Sequence, residues 1–180
     1  ERGDAAPVNL NFATLPSAQG WTYSGDLPEN TVYAVDGTKL TQTLVGQSDA
    51  LGQYAFADAP DAGMRTTIRL RARGTDYEVF GGSFTLGFRV GAGDGNWYWQ
   101  FGLTDTAVMV QNSGMVNVDT TVFHDYRLET RPNGMVALYI DDMLEVSGMG
   151  SAATIDAVVF GDITRFENVN FEMTEFSITQ

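Results

Sequence analysis

The chain has 180 residues, 43% hydrophobic and only 18% charged, with 20 glycines, no cysteine and a formal net charge of -13. That composition excludes a disulfide framework and a thiolate metal site, and it makes a phosphate backbone or an anionic membrane surface a poor partner. The length suits one domain, residues 1–180, with a well-buried core, and no apolar run approaches the roughly 20 residues of a membrane-spanning helix.

Two-residue alternation recurs along the chain, broken every 8–12 residues by Gly, Asn, Asp or Pro, the pattern of many short strands joined by turns. Residues 8–12 open as a strand. Residues 13–30, with Pro16, Gly20, Gly25 and Pro28, read as an irregular loop carrying Trp21 and Tyr23. Residues 31–35 and 38–44 flank Asp36-Gly37, which reads as a tight type I′ hairpin turn. A short strand is expected over 51–57 and a long one over 64–73, where Ile68, Leu70 and Ala72 face one way and Thr67, Arg69, Arg71 and Arg73 the other. Residues 83–91 set Phe84, Leu86, Phe88 and Val90 against Thr85, Gly87 and Arg89. Residues 96–103 set Trp97, Trp99 and Phe101 against Tyr98, Gln100 and Gly102. A short hairpin surrounds Asn112-Ser113-Gly114, a three-strand meander occupies 123–146 with an Asn-Gly turn, and strands over 156–160 and 168–178 close the chain. No repeat or linker marks a second domain.

The meander carries a resemblance. Phe123-His124-Asp125-Tyr126-Arg127-Leu128-Glu129, a Pro-Asn-Gly turn, then Met135-Val136-Ala137-Leu138-Tyr139-Ile140-Asp141 and Leu144 resemble the concanavalin-like lectin and glucanase superfamily, laminin-G-like domains included. The resemblance implies an all-β, two-sheet antiparallel jelly-roll sandwich. It says little about activity, because the superfamily hosts lectins, adhesion modules, hydrolases, lyases and structural domains. The glucanase branch would need a Glu-x-Asp-x-Glu strand, which sets alternate carboxylates on one face as nucleophile and acid. No such run occurs. Glu172 and Glu175 come nearest, and their spacing has the wrong parity for one strand face unless a bulge intervenes.

If the strands around 69, 89 and 98 are neighbours, Arg69, Arg71, Arg73, Arg89, Tyr98 and Gln100 share one sheet face. Guanidinium forks, a tyrosine ring and an amide there would suit a polysaccharide, an acidic one in particular, and in the resembling superfamily the concave face commonly binds glycans. The plainer reading pairs these arginines with the many carboxylates of an acidic protein. Trp97 and Trp99 could stack on sugars, but they share a face with Phe84 and Phe88 and read as core. Trp21 and Tyr23 could be exposed platforms or edge cover. Asp94 with Asn96, and Asp141 with Asp142, are candidate calcium oxygens, although calcium takes six or more and each loop offers two side chains. Arg2-Gly3-Asp4 matches an integrin-read tripeptide, a match that chance supplies often. His124 is the only histidine, and with Arg71, Tyr98 and Gln100 it could furnish a lyase site.

Three functions follow as expectations. The leading one is a non-catalytic extracellular module binding a glycan through Arg69, Arg71, Arg89, Tyr98 and Gln100. A second is a structural subunit that assembles into an extracellular fibre, layer or homo-oligomer through strands at its ends. The third is a polysaccharide lyase or hydrolase. The start at Glu1 without a basic and apolar leader reads as a mature form.

Overall fold

The computed structural model describes residues 7–47, 50–56, 65–78, 88–91, 98–110, 114–131, 134–150, 157–162 and 168–179. Its strands are β1 (Val8–Asn9), β2 (Thr22–Gly25), β3 (Tyr33–Val35), β4 (Leu40–Gln42), β5 (Gly52–Phe56), β6 (Thr66–Tyr77), β7 (Phe88–Gly91) and β8 (Tyr98–Leu103). They continue with β9 (Ala107–Val110), β10 (Gly114–Asn117), β11 (His124–Thr130), β12 (Met135–Ile140), β13 (Met143–Met149), β14 (Val158–Asp162) and β15 (Val169–Thr179). A 3-10 turn at Pro16–Gln19 and one helical turn, α1 (Glu29–Val32), interrupt them. No helix of the described residues is long and apolar enough to cross a membrane.

Sheet 1 has eight strands in the order β13-β12-β11-β6-β15-β4-β3, with β1 also pairing β15, and sheet 2 has seven in the order β10-β9-β8-β7-β14-β5-β2. The pairings are antiparallel. The meander appears as expected in β11, β12 and β13, and β6 runs four residues beyond the expected end, to Tyr77. Asp36-Gly37 does not make a two-residue turn. Val35 pairs Leu40, so residues 36–39 form the loop, and the Asp36 carboxylate accepts from the Thr38 and Lys39 backbone N–H groups at 2.9 and 3.1 Å.

The two sheets bury their inward residues against each other. Ile68, Leu70, Ala72, Leu128, Phe171 and Met173 come from sheet 1, and Tyr54, Phe101, Leu103, Val108, Val158 and Phe160 from sheet 2, all at 2% exposure or less. Trp21, from the irregular loop, is core rather than an exposed platform. Its ring lies 5.0 Å from Phe160 and 5.2 Å from Phe56 in sheet 2 and 5.4 Å from Phe176 in sheet 1. Tyr23 packs against the Tyr33 and Tyr54 rings, its hydroxyl donating to the Leu27 carbonyl at 2.8 Å. Within this aromatic core Gln42 is a fully buried cross-sheet pin. Its amide donates to the Val169 carbonyl at 2.8 Å, and its oxygen accepts from the Tyr33 hydroxyl at 2.5 Å and from the Asp162 N–H at 3.2 Å. Gly161, at φ +116°, is obligatory beside it, because a Cβ there would meet the Tyr33 hydroxyl and the Gly52 carbonyl.

The terminal strands are committed within the chain. β15 lies inside sheet 1, between β6 on one side and β4 and β1 on the other, and the Leu10 N–H extends the β1 pairing to the Phe176 carbonyl at 3.1 Å. β15 is thus paired along both of its edges, and β1 along the edge that faces it.

Truncating the ring that touches both sheets opens a cavity neither can close. We expect Trp21→Ala to cost about 3–5 kcal/mol in urea unfolding. A loss below about 1 kcal/mol would show that the ring does not bridge the sheets.

Candidate functional site

Alternation along β6 turns Arg69, Arg71 and Arg73 away from the core while Ile68, Leu70 and Ala72 are buried. Across the neighbouring strands the register sets Arg73 opposite Glu172, Arg71 opposite both Asp125 and Glu175, and Arg69 opposite both Arg127 and Ser177. Most of these charges pair. Arg71 meets Asp125 at 2.8 Å, Arg73 meets Glu172 at 2.9 Å, and Lys39 also holds Glu172. Glu129, nearly buried, bridges Arg65 and Arg127. The Phe123 ring lies under the Arg73 and Arg71 guanidinium groups at 4.9 and 5.7 Å, and the Tyr139 ring lies 3.8 Å from that of Arg127. Arg69 differs. It is exposed, it faces another arginine across the strand pair, and it has no carboxylate partner among the described residues.

The expected ligand face is divided. β6 belongs to sheet 1 and β7 and β8 to sheet 2, so the arginine row and the Arg89, Tyr98 and Gln100 group lie on different sheets of the sandwich. Arg89 does sit opposite Gln100, and Gly91 opposite Tyr98, so those three occupy adjacent strands as expected. Gln100 is only 8% exposed. The side chains of Arg89 and Tyr98 lie outside the described residues, as do Asp94, Asn96 and Trp97. The division arises because alternation fixes the face on which a side chain emerges but not the sheet its strand joins.

On sheet 1 the outer face holds an open depression of about 290 Å³ lined by Arg69, Arg71, Asp125, Arg127, Asp142 and Glu175. Glu175 reaches it through a bulge. Register shifts between Met173 and Glu175, so Thr174 and Glu175 both stay off the core while Met173 and Phe176 enter it. Glu172 and Glu175 therefore share the outer face, the one circumstance under which their sequence spacing allows it. Asp125 is spent on Arg71, and Asp142 lies 3.6 Å from Arg127. Among the described residues Arg69 and Glu175 make no side-chain hydrogen bond of their own, although Glu175 faces Arg71 across the strand pair.

No protein-family model matches the chain, and no curated protein matches it in sequence. Solved structures do match it in shape. A carbohydrate esterase from the Shiga toxin-encoding bacteriophage phi24B superposes with TM-score 0.62 at 19% identity, covering 91% of each chain. A Bacillus licheniformis β-glucanase gives 0.62 at 12% identity over 98% of this chain and 99% of its own. The Emp46p carbohydrate recognition domain gives 0.50 at 13% identity over 89% and 88%. The fold is the concanavalin-like jelly roll. At these identities the likeness concerns the fold alone.

Within this concanavalin-like sandwich the remaining sequence candidates have structural duties. Asp141 and Asp142 form the tight turn from β12 to β13, both at positive φ, 51° and 64°. Asp141 folds back, accepting from the Asp125 N–H at 3.0 Å and meeting His124 Nδ1 at 2.7 Å. The other ring nitrogen of His124 lies 2.9 Å from the Asp119 carbonyl, so both nitrogens are engaged. His124 and Arg71 belong to sheet 1 while Tyr98 and Gln100 belong to sheet 2, so the four residue types of a lyase site are not brought together. No group of three His, Asp or Glu among the described residues could hold a metal ion.

The ionisation of the carboxylates fits pairing. The hydrogen bond from Lys39 lowers the Glu172 carboxyl, burial opposes it, and Arg73 adds to the lowering. Burial alone would raise Glu129, but Arg65 and Arg127 more than offset it and hold the group below the usual carboxylate range. Burial likewise works against Asp141, and the Asp125 N–H and His124 outweigh it. Folded values below unfolded ones mean that this stabilisation is present above the carboxylate range and is lost as pH falls through it. Urea midpoints should therefore drop between about pH 6 and pH 3, and Glu172→Gln should flatten the drop. An unchanged slope in that variant would show that Glu172 does not contribute.

Proposed function

We propose that the protein is a non-catalytic extracellular module that binds a glycan on the outer face of sheet 1. The observation that carries this reading is Arg69, an exposed guanidinium without a carboxylate partner among the described residues, which lines a depression alongside Arg71, Arg127 and Glu175. The Arg69 donor fork beside the Glu175 carboxylate can give to and accept from neighbouring sugar oxygens, and the same fork can take a uronate carboxylate bidentately. The surrounding ion pairs fix the flanking guanidinium groups, so less side-chain freedom is lost on binding. Proteins of the same shape include a carbohydrate esterase, a β-glucanase and a carbohydrate recognition domain, all named for carbohydrate chemistry.

Binding is favoured over hydrolysis by the state of the carboxylates. A general acid for glycoside cleavage needs a carboxyl whose pKa is raised by burial or by a like charge. On this face Asp125 is exposed and paired with Arg71, Asp142 is 86% exposed, Glu172 is held ionised by Lys39 and Arg73, and Glu175 is exposed opposite Arg71. The extracellular placement is supported by the acidic composition and a single lysine, Lys39.

Isothermal titration against β-1,3-1,4-glucan and against alginate separates a neutral ligand from a uronate one. Arg69→Ala should weaken binding of whichever ligand is taken by roughly 10-fold or more, as expected for a charge-assisted hydrogen bond. Gln100→Ala, on the other sheet, should leave it unchanged. Equal affinity in wild type and Arg69→Ala, or loss confined to Gln100→Ala, would place binding elsewhere.

A further inference from the structure

Arg69 belongs to a longer row. The register places Ser177, Arg69, Arg127, Tyr139 and Leu144 side by side on β15, β6, β11, β12 and β13, one line running across five strands of sheet 1. With neighbouring strands about 4.8 Å apart, Arg69 and Leu144 are separated by roughly 14 Å, more than one sugar ring with its linkage covers. At the Leu144 end the same face holds a second depression, about 210 Å³, lined by Arg131, Met135, Ala137, Tyr139, Leu144 and Ser147.

The two depressions differ in chemistry. The first is ringed by charges. The second is mostly apolar, and its polar side chains are Ser147, Arg131 and the hydroxyl-bearing ring of Tyr139. Tyr139 stands between them, carrying Arg127 3.8 Å from its ring centroid and also lining the second depression. Leu144, 56% exposed, adds aliphatic surface beside it. An aromatic ring with neighbouring aliphatic surface and a few polar groups matches a pyranose, which has an apolar C–H face and a rim of hydroxyls.

We infer that the second depression is a further subsite for the same ligand, so that a linear oligosaccharide lies across the strands with one residue at Arg69 and a later one against Tyr139 and Leu144. This rests on the glycan-binding reading above and adds to it a direction, a minimum length and an apolar contact. The stacked Arg127 connects the subsites. Its guanidinium is fixed by Glu129 and Tyr139, so it offers the linkage between them oriented donors.

The test is a length series. Affinities of di- to hexasaccharides of β-1,3-1,4-glucan and of alginate would be measured for wild type, Arg69→Ala, Leu144→Ser and Ser147→Ala. Wild-type affinity should rise on passing from short to longer members. Leu144→Ser should remove that rise, about 3- to 10-fold for the longest members, and leave the disaccharide unaffected, whereas Arg69→Ala should weaken every length. Ser147→Ala should act on the longer members only. A length dependence unchanged in Leu144→Ser and Ser147→Ala would overturn the second subsite while leaving the Arg69 site standing. A wild type that binds neither series overturns both. Light scattering on the same samples covers the other occupant of an exposed edge, a second copy of the chain. A dimer that Leu144→Ser dissociates with no change in glycan affinity would also overturn the inference.

Discussion

Everything in this molecule hangs on the pairing of β6 with β15. It joins residues 66–77 to residues 169–179, two segments about a hundred positions apart, and the pairing continues through two register shifts. On the inner side the pair contributes Ile68, Leu70, Ala72, Phe171, Met173 and Phe176 to the core. On the outer side it sets Arg73 against Glu172, Arg71 against Glu175 and Arg69 against Ser177. β11 docks on the free edge of β6, and β1 and β4 dock on the other edge of β15, so the first and last described strands are joined through the same sheet. Such a contact is costly in loop closure and tends to form late, which gives folding of this chain the slow character of a non-local β topology.

The candidate site is a by-product of how that pairing is neutralised. Arginines on adjacent strands repel unless carboxylates intervene. Asp125, Glu129 and Glu172 do this for Arg71, Arg127 and Arg73, and aromatic rings at Phe123 and Tyr139 share the load. The bulge at Thr174 carries Glu175 onto the same face, beside Arg71. Arg69 has Ser177 on one side and Arg127 on the other, and among the described residues no carboxylate forms an ion pair with it. In a chain of net charge -13, leaving a guanidinium unpaired is a local departure from the rule the rest of the face obeys. Departures of this kind are where binding sites are sought.

Much of the architecture was legible from residues alone because it rests on local periodicity. The alternation of Ile68, Leu70 and Ala72 with Arg69, Arg71 and Arg73 is reproduced position by position, and the meander from β11 to β13 falls where the Asn-Gly turn and the strand pattern put it. The misplaced features share a cause, since each depends on a partner distant in sequence. Tyr98 and Gln100 alternate as cleanly as the arginines, yet nothing local tells that β8 joins the other sheet. Trp21 sits among glycines and prolines, and only the aromatic rings of both sheets around it make it core. Tyr139 looked like an ordinary strand residue, and its importance appears only when the register sets it beside Arg127. The parity of Glu172 and Glu175 could be read as a condition, and the bulge supplied what the condition required.

Amide chemical-shift mapping with the glycan bound reports which face of the sandwich is occupied. Perturbations are expected to centre on residues 69–71, 125–127 and 175, extending to 139 and 144 for longer oligosaccharides. Perturbations centred on 89 and 98–100, with the arginine row of β6 unaffected, would contradict binding on the outer face of sheet 1.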